Sequence, residues 1–321
     1  MRLCRFEYNA KTRLGIYYDD WVVDLTELFL AYSASNRTEL PLRVNRFPTS
    51  ILAFLPPNHD GCEAVRKLKT FYDENQKRLS CRPVTLDVDE VRLLTPVSHP
   101  PKFFLLAGNY AEHIEESGWK AEEKRHTFPY IFMKPPTTTI INPSDPIRLP
   151  TISLEHIDWE VELGVVMGKR GKGISAGEAL GHVAGYTIVN DVSDRQFRLN
   201  PQRRKRPRDE FFDWLHGKWH DGFAPIGPCV ASAEAIRDPQ HLHISLSVNG
   251  QKMQDSNTAR MIFSVAEIIE FISSFVTLEA GDIISTGTPS GIGATKGRFL
   301  RSGDIVEATI EGIGVLRNPV E

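Results

Sequence analysis

Cysteine is scarce: four residues are spread through 321, and no Cys-x-x-Cys pair occurs. No redox or zinc motif of that form is available, and the scattered thiols fit reduced cysteines in a cytoplasmic protein. Long apolar runs are missing as well. No stretch approaches the ~18 residues that a membrane span needs. The start, Met1-Arg2-Leu3-Cys4-Arg5-Phe6-Glu7, lacks the apolar core of a signal peptide. Neither sign of charge dominates, since 38 Lys and Arg face 41 Asp and Glu, a formal net charge of -3. That balance gives no reason to expect nucleic acid or an anionic membrane as partner.

The composition that remains is that of an ordinary globular protein. With 41% hydrophobic and 25% charged residues, there is material for one large domain or two of ordinary size. Residues 1–96 read as a small α+β domain. Strands are expected at 1–8, 13–18 and 21–25, and an amphipathic helix at 62–79, started by Asn58 or Asp60. No chemistry stands out there. The proline-rich 96–101 marks a boundary, so 97–321 is expected to form the second, larger domain. It opens on a buried strand at 103–107. A polar stretch with a helical centre follows at 108–128, holding His113 and Glu116. Six prolines between 129 and 150 predict extended chain and turns. Further on, 241–248 alternates before Asn249-Gly250, a strong hairpin signal, and 265–275 reads as an amphipathic helix. Leu-x-x-Gly-Asp-Ile occurs twice, at 278–283 and 300–305, and predicts two paired sheet segments.

Chemistry concentrates at Asp158-Trp159-Glu160-Val161-Glu162-Leu163. The period of two predicts a strand over 158–166, with Asp158, Glu160 and Glu162 on one face. Spacing alone favours an acidic face in water. The sharper alternative makes Glu160 and Glu162 ligands of a hard cation such as Mg²⁺, Mn²⁺ or Ca²⁺. A second strand, 185–191, ends on Asp191, a third carboxylate that is able to complete such a site.

These pieces, in order, resemble the fumarylacetoacetate hydrolase superfamily, in its acylpyruvate hydrolase and 2-hydroxyhepta-2,4-diene-1,7-dioate isomerase branch. The matching motifs are Gly108-Asn109-Tyr110-x-x-His113, Phe132-Met133-Lys134-Pro135, Asp158-Trp159-Glu160-x-Glu162-Leu163 and Gly185-Tyr186-Thr187. Asn190-Asp191-Val192-Ser193-x-Arg195, Pro225-x-Gly227-Pro228, Val248-Asn249-Gly250 and Thr286-Gly287-Thr288-Pro289-x-Gly291 continue the series. They cover about 96–321. The resemblance implies an α+β fold with a mixed β-roll or β-sandwich catalytic core, a homodimer, and a small 2-oxo or diketo acid as substrate. It implies Glu160, Glu162 and Asp191 as ligands of Mg²⁺ or Mn²⁺, His113 and Glu116 as a water-activating pair, and Lys218 as a charge-stabilising lysine. Without it, His113 and Glu116 read as a surface pair on one helical face.

Arg195 and Thr288 are expected at the substrate. The Thr286–Gly291 loop lacks the Gly-Lys-Ser/Thr ending of a phosphate loop, and is expected to offer N–H groups and a hydroxyl to a carboxylate. Residues 196–217 look like an insertion whose basic run, Arg203 to Arg208, is solvated or ion-paired. At its start Arg198 stands where the family often has glutamine. Arg198, one helical turn after Arg195, is therefore expected to grip an anionic group at the far end of the substrate. The reaction implied is cation-dependent hydrolysis of a C–C bond in an acylpyruvate or related β-diketo acid. The rivals are an oxaloacetate-type decarboxylase, a dienedioate isomerase, and a non-enzymatic protein with a structural cation.

Overall fold

The computed structural model describes residues 1–35, 40–41, 47–80, 83–118, 120–122 and 124–321. A mixed sheet of 12 strands runs through them. Its main path leads from Thr85–Asp87 through Trp21–Asp24, Lys11–Tyr18, Arg2–Tyr8 and Ala224–Ser232 to Val183–Asn190 and Val161–Met167. It continues through Ile283–Ser285 and Phe103–Ala107 to Tyr130–Met133. A second, 4-stranded antiparallel sheet holds Gln251–Asn257, His243–Val248, Ile305–Ile310 and Gly314–Pro319. The two sheets share one hydrophobic core, to which Leu163 and Ile188 contribute from the first and Leu246 and Val306 from the second. With its helices this is the α+β fold expected.

Local signals work where the chain's own chemistry decides the geometry. Asn249 and Gly250 both take positive φ, +53° and +75°, as a two-residue hairpin turn requires. The helix His59–Leu79 starts under Asn58, whose Oδ1 accepts the Gly61 N–H at 3.1 Å. The helix Val265–Phe275 starts on a capping box formed by Ser264 and Glu267. No described helix is long and apolar enough to cross a membrane. Cys4, Cys62 and Cys229 are buried free thiols, and Cys81 lies outside the described residues.

Partner choice is where the sequence misleads. The two Leu-x-x-Gly-Asp-Ile segments do not pair with each other. Both glycines, Gly281 and Gly303, adopt a positive φ near 90°, but Ile283–Ser285 enters the large sheet and Ile305–Ile310 the small one. The motif sets a turn followed by a strand and says nothing of the neighbour. The acidic strand also differs from expectation. Val161–Met167 is buried along its whole length, as is Val183–Asn190, so no acidic face meets water. Nor is it continuous: Ile157–Asp158 pairs with Ser193–Asp194 in a separate ladder. Across the break, Asn190 Oδ1 accepts the Glu160 N–H and Gln254 Oε1 the Val161 N–H, each at 3.0 Å.

The first strands extend the same sheet that carries the acidic residues. Arg2 and Leu3 pair with Ala231 and Val230. Leu3 and Val230 share a core with Leu68 and Phe71 of the helix His59–Leu79 and with Val166 and Ile283.

Candidate active site and metal centre

Glu160, Glu162 and Asp191 converge at the end of the central strands, and one carboxylate oxygen from each lies within 4.8 Å of the others. All three are buried. Glu160 sits at the strand break, Glu162 two residues on, and Asp191 directly after the neighbouring strand, held by its N–H to the Glu160 carbonyl at 2.8 Å. Asp158 does not join them. Its carboxylate accepts the N–H groups of Gly293 at 2.6 Å and Ala294 at 3.0 Å, and the Arg195 Nε–H at 2.8 Å. The break in the strand turns it away from the side that period-two spacing assigned.

Cations offset this buried charge. Lys218 Nζ lies 2.8 Å from Glu160 and 2.6 Å from Asp191. Lys134 Nζ pairs with the other Asp191 oxygen and donates to the carbonyls of Val192 at 2.9 Å and Phe223 at 2.6 Å. Arg195 Nη2 reaches Glu160 at 2.5 Å. Burial by itself would raise the Glu160 carboxyl, but Lys218 and Arg195 hold it well below the usual range. Glu162 has no such partner: burial, then Asp191 and Glu160, push it well above the usual range. Burial also brings the Lys134 ammonium down to about 8, against the pull of Asp191. For Lys218 the carboxylates win over burial and its pKa is raised.

The test of a cation site is whether the donors are left wanting one. Glu162 Oε2 accepts the Ser285 hydroxyl at 2.6 Å and the Gly287 N–H at 2.9 Å, while its Oε1 is buried with no hydrogen-bond partner. An all-oxygen donor set with an unsatisfied carboxylate oxygen fits Mg²⁺ or Mn²⁺.

His113 and Glu116 lie on the short helix Ala111–Glu116, with Nδ1 and Oε1 3.0 Å apart. Glu116 is anchored across the site by the Gly291 N–H at 2.8 Å and the Thr295 hydroxyl at 3.0 Å. Burial pushes the Glu116 carboxyl up, but His113 and these two donors keep it below the usual range. His113, Glu160, Arg195, Lys218 and Thr288 line one small cavity of about 60 Å³. It adjoins a larger one of about 520 Å³, with which it shares His113, Gly108 and Trp214.

Several expectations need correction. Arg198 is exposed and does not line the cavity, and residues 195–200 form no helical turn that would set it beside Arg195. Arg195 lines the cavity, but its guanidinium holds Asp158 and Glu160. The Thr286–Gly291 loop does offer N–H groups to carboxylates, and the carboxylates are the protein's own. Gly287 donates to Glu162 and Gly291 to Glu116. Gly287 reaches Glu162 from a backbone with φ +88°, and a Cβ there would sit 2.8 Å from the Asn109 side chain. The Thr288 hydroxyl donates to the Val161 carbonyl at 2.9 Å and accepts from Gln254 at 2.8 Å.

Two residues with work at the site had no role assigned from sequence. Lys134 lay within a matching motif, and a lysine in an otherwise apolar strand end was the available signal. Trp214 gave none. It belongs to the helix Asp209–His216 inside the segment read as an insertion, and its ring packs 5.0 Å from that of Phe132. Lys218 Nζ lies 5.9 Å from the Trp214 ring centre. The basic run of that segment is ion-paired: Arg203 and Arg206 lie 3.1 and 3.0 Å from Asp209.

The family model described as "Fumarylacetoacetate (FAA) hydrolase C-terminal" matches residues 102–321. A mitochondrial oxaloacetate tautomerase of Xenopus laevis is 35% identical, over 100% of this chain and 90% of that protein. The solved fumarylacetoacetate hydrolase of Exiguobacterium antarcticum superposes with a TM-score of 0.75 at 29% identity, covering 100% of this chain and 99% of that one. The maleylpyruvate hydrolase of Sphingobium sp. SYK-6 gives 0.70 at 25% identity, covering 100% and 99%. The chain belongs to the fumarylacetoacetate hydrolase family.

Proposed function

We propose that the protein is a divalent-cation-dependent enzyme that hydrolyses a carbon–carbon bond of an acylpyruvate or related β-diketo acid. The observation that carries this reading is the His113–Glu116 pair beside the same small cavity as Glu160 and Lys218. Glu160, Glu162 and Asp191 are the residues that would hold Mg²⁺ or Mn²⁺, which polarises a carbonyl and stabilises negative charge on oxygen.

The chain's own groups do the rest. Glu116 accepts from Nδ1 of His113, so Nε2 is the basic nitrogen. His113 takes a proton from water, and Glu116 stabilises the resulting imidazolium. A positioned base of this kind contributes roughly 10²–10⁴-fold. The hydroxide adds to the C4 carbonyl and the C3–C4 bond breaks. The electron pair stays with the pyruvate half as its enolate, and the proton returns to C3. Lys218, fixed by Glu160 and Asp191, offsets the negative charge that develops.

A second reading rests on the similarity to a protein named as an oxaloacetate tautomerase. There His113 would carry a proton between C3 and the enol oxygen of oxaloacetate, and no water would be consumed. One assay separates the two. With Mg²⁺ present, 2,4-dioxopentanoate should yield pyruvate and acetate in equal amounts, and His113→Ala should stop this. Faster keto–enol exchange of oxaloacetate, with no pyruvate from the dioxo acid, would replace hydrolysis by tautomerisation.

A further inference from the structure

Beside the charged cavity lies an apolar one of about 470 Å³, walled by Phe128, Tyr130, Ile131, Phe132, Phe211 and Trp214. Among the described residues no charged side chain lines it. Its aromatic walls stand open: Phe128, Tyr130 and Phe211 are each more than half exposed. Exposed aromatics on this scale call for an occupant.

Two features say which occupant. Trp214 and Ala107 line this cavity and also the small one with Glu160, His113 and Lys218. From the carboxylates and Lys218 the Trp214 ring leads both to the adjoining cavity of about 520 Å³, which Lys120 and Glu122 also line, and to the aromatic space, and an apolar tail is matched by the second. Secondly, Arg198, the cation expected to meet a charged tail, is exposed and outside the aromatic cavity, and Lys120 lines only the adjoining one. Phe211 and Trp214 both come from the helix Asp209–His216, with rings 5.9 Å apart. The segment 196–217, which looks like an insertion in the sequence, thus supplies walls of the apolar space.

We propose that this cavity is the tail subsite of the enzyme. It selects substrates whose far end is an aliphatic or aryl acyl group, against short or dicarboxylic 2-oxo acids. The proposal rests on the reading of the site as one for 2-oxo acids, and extends it to the substrate class. A methylene in a hydrophobic pocket typically changes selectivity by about tenfold or more.

The test is calorimetric, on the full chain with Mg²⁺, using pyruvate, 2-oxoglutarate and 2-oxo-4-phenylbutanoate as probes. The phenyl compound should bind at least about tenfold more tightly than pyruvate, and 2-oxoglutarate no more tightly than pyruvate. Phe211→Asp, at a position more than half exposed, should bring the phenyl-to-pyruvate ratio close to one; circular dichroism checks its fold. A ratio near one in the parent, a ratio that survives Phe211→Asp, or no measurable binding of any probe overturns the proposal. An unchanged ratio with a loss of dimer mass in Phe211→Asp would assign the aromatic face to contacts between copies instead. Turnover of 2,4-dioxo acids is measured separately. Tight phenyl binding with no turnover would remove the hydrolase reading and leave the tail subsite standing.

Discussion

At the scale of the residue, the site is a problem in buried charge. Glu160 and Asp191 share Lys218, while Glu162 relies on a hydroxyl and an N–H and keeps one oxygen unpaired. The two kinds of carboxylate should respond oppositely to substitution. Glu162→Gln removes a charge that burial, Asp191 and Glu160 all disfavour, so the metal-free fold should lose nothing. Titration calorimetry should then show Mn²⁺ affinity falling by more than about tenfold. Unchanged affinity would exclude Glu162 as a ligand. Lys218→Met leaves Glu160 and Asp191 without their shared ammonium. Breaking a buried pair in this way costs roughly 3–5 kcal/mol. The variant should therefore melt well below the parent in EDTA, and regain more stability than the parent does on adding Mg²⁺, because binding to the folded state alone stabilises it. Equal Mg²⁺ shifts in both proteins would argue that the lysine and the cation do not share the same carboxylates.

At the scale of the element, the short helix Ala111–Glu116 depends on what it docks against. Six residues are too few to hold a helix by propensity. Glu116 ties it to Gly291 and Thr295, and so places His113. Glu116→Gln weakens each of these bonds, which are worth about 1.5–3 kcal/mol to a charged acceptor. The pH dependence has a definite sign. The Glu116 carboxyl is held below its usual value, so its contribution to stability is present above the unfolded pKa, roughly 4.3. It is lost as the pH falls through the folded value. The stability gap between parent and Glu116→Gln should thus be open at pH 7 and close in acid, as denaturant melts at both pH values would record. A gap that does not change with pH would mean that the carboxylate's charge plays no part in the docking.

At the scale of the whole molecule, the boundary at 96–101 divides a sequence more cleanly than it divides a sheet. Arg2–Tyr8 covers the edge of Ala224–Ser232, and Leu3, Leu68 and Phe71 fill a core with Val230 and Val166. A fragment of residues 97–321 would expose that edge and that apolar face together. It is expected to aggregate or to populate a loosely packed state, seen as lost near-ultraviolet dichroism with far-ultraviolet signal retained. A fragment with the sharp melting transition and cation affinity of the full chain would show that the larger part folds alone.

What the chain determined by itself was local or carried by motif. Asn249-Gly250 specifies its turn, Asn58 and Ser264 specify helix starts, and the motif order picks out Glu160, Glu162, Asp191, His113 and Lys218. Tertiary structure decided what depends on neighbours distant in sequence. Asp158 left the acidic row because Asn190 and Gln254 take over the hydrogen bonds across the strand break. Arg195 turned to Asp158 and Glu160 because buried carboxylates bind a guanidinium more strongly than water does. Arg198 stayed outside, since the chain from Arg195 onward forms no helical turn to bring it back. Lys134 and Trp214 belong to the site because Tyr130–Met133 pairs with Phe103–Ala107 at the end of the large sheet, which sets Phe132 against Trp214 and Lys134 against Asp191. Period and spacing record which side of its own strand a residue occupies. Burial, partner and charge state depend on what packs there, and that is written in no single stretch of the chain.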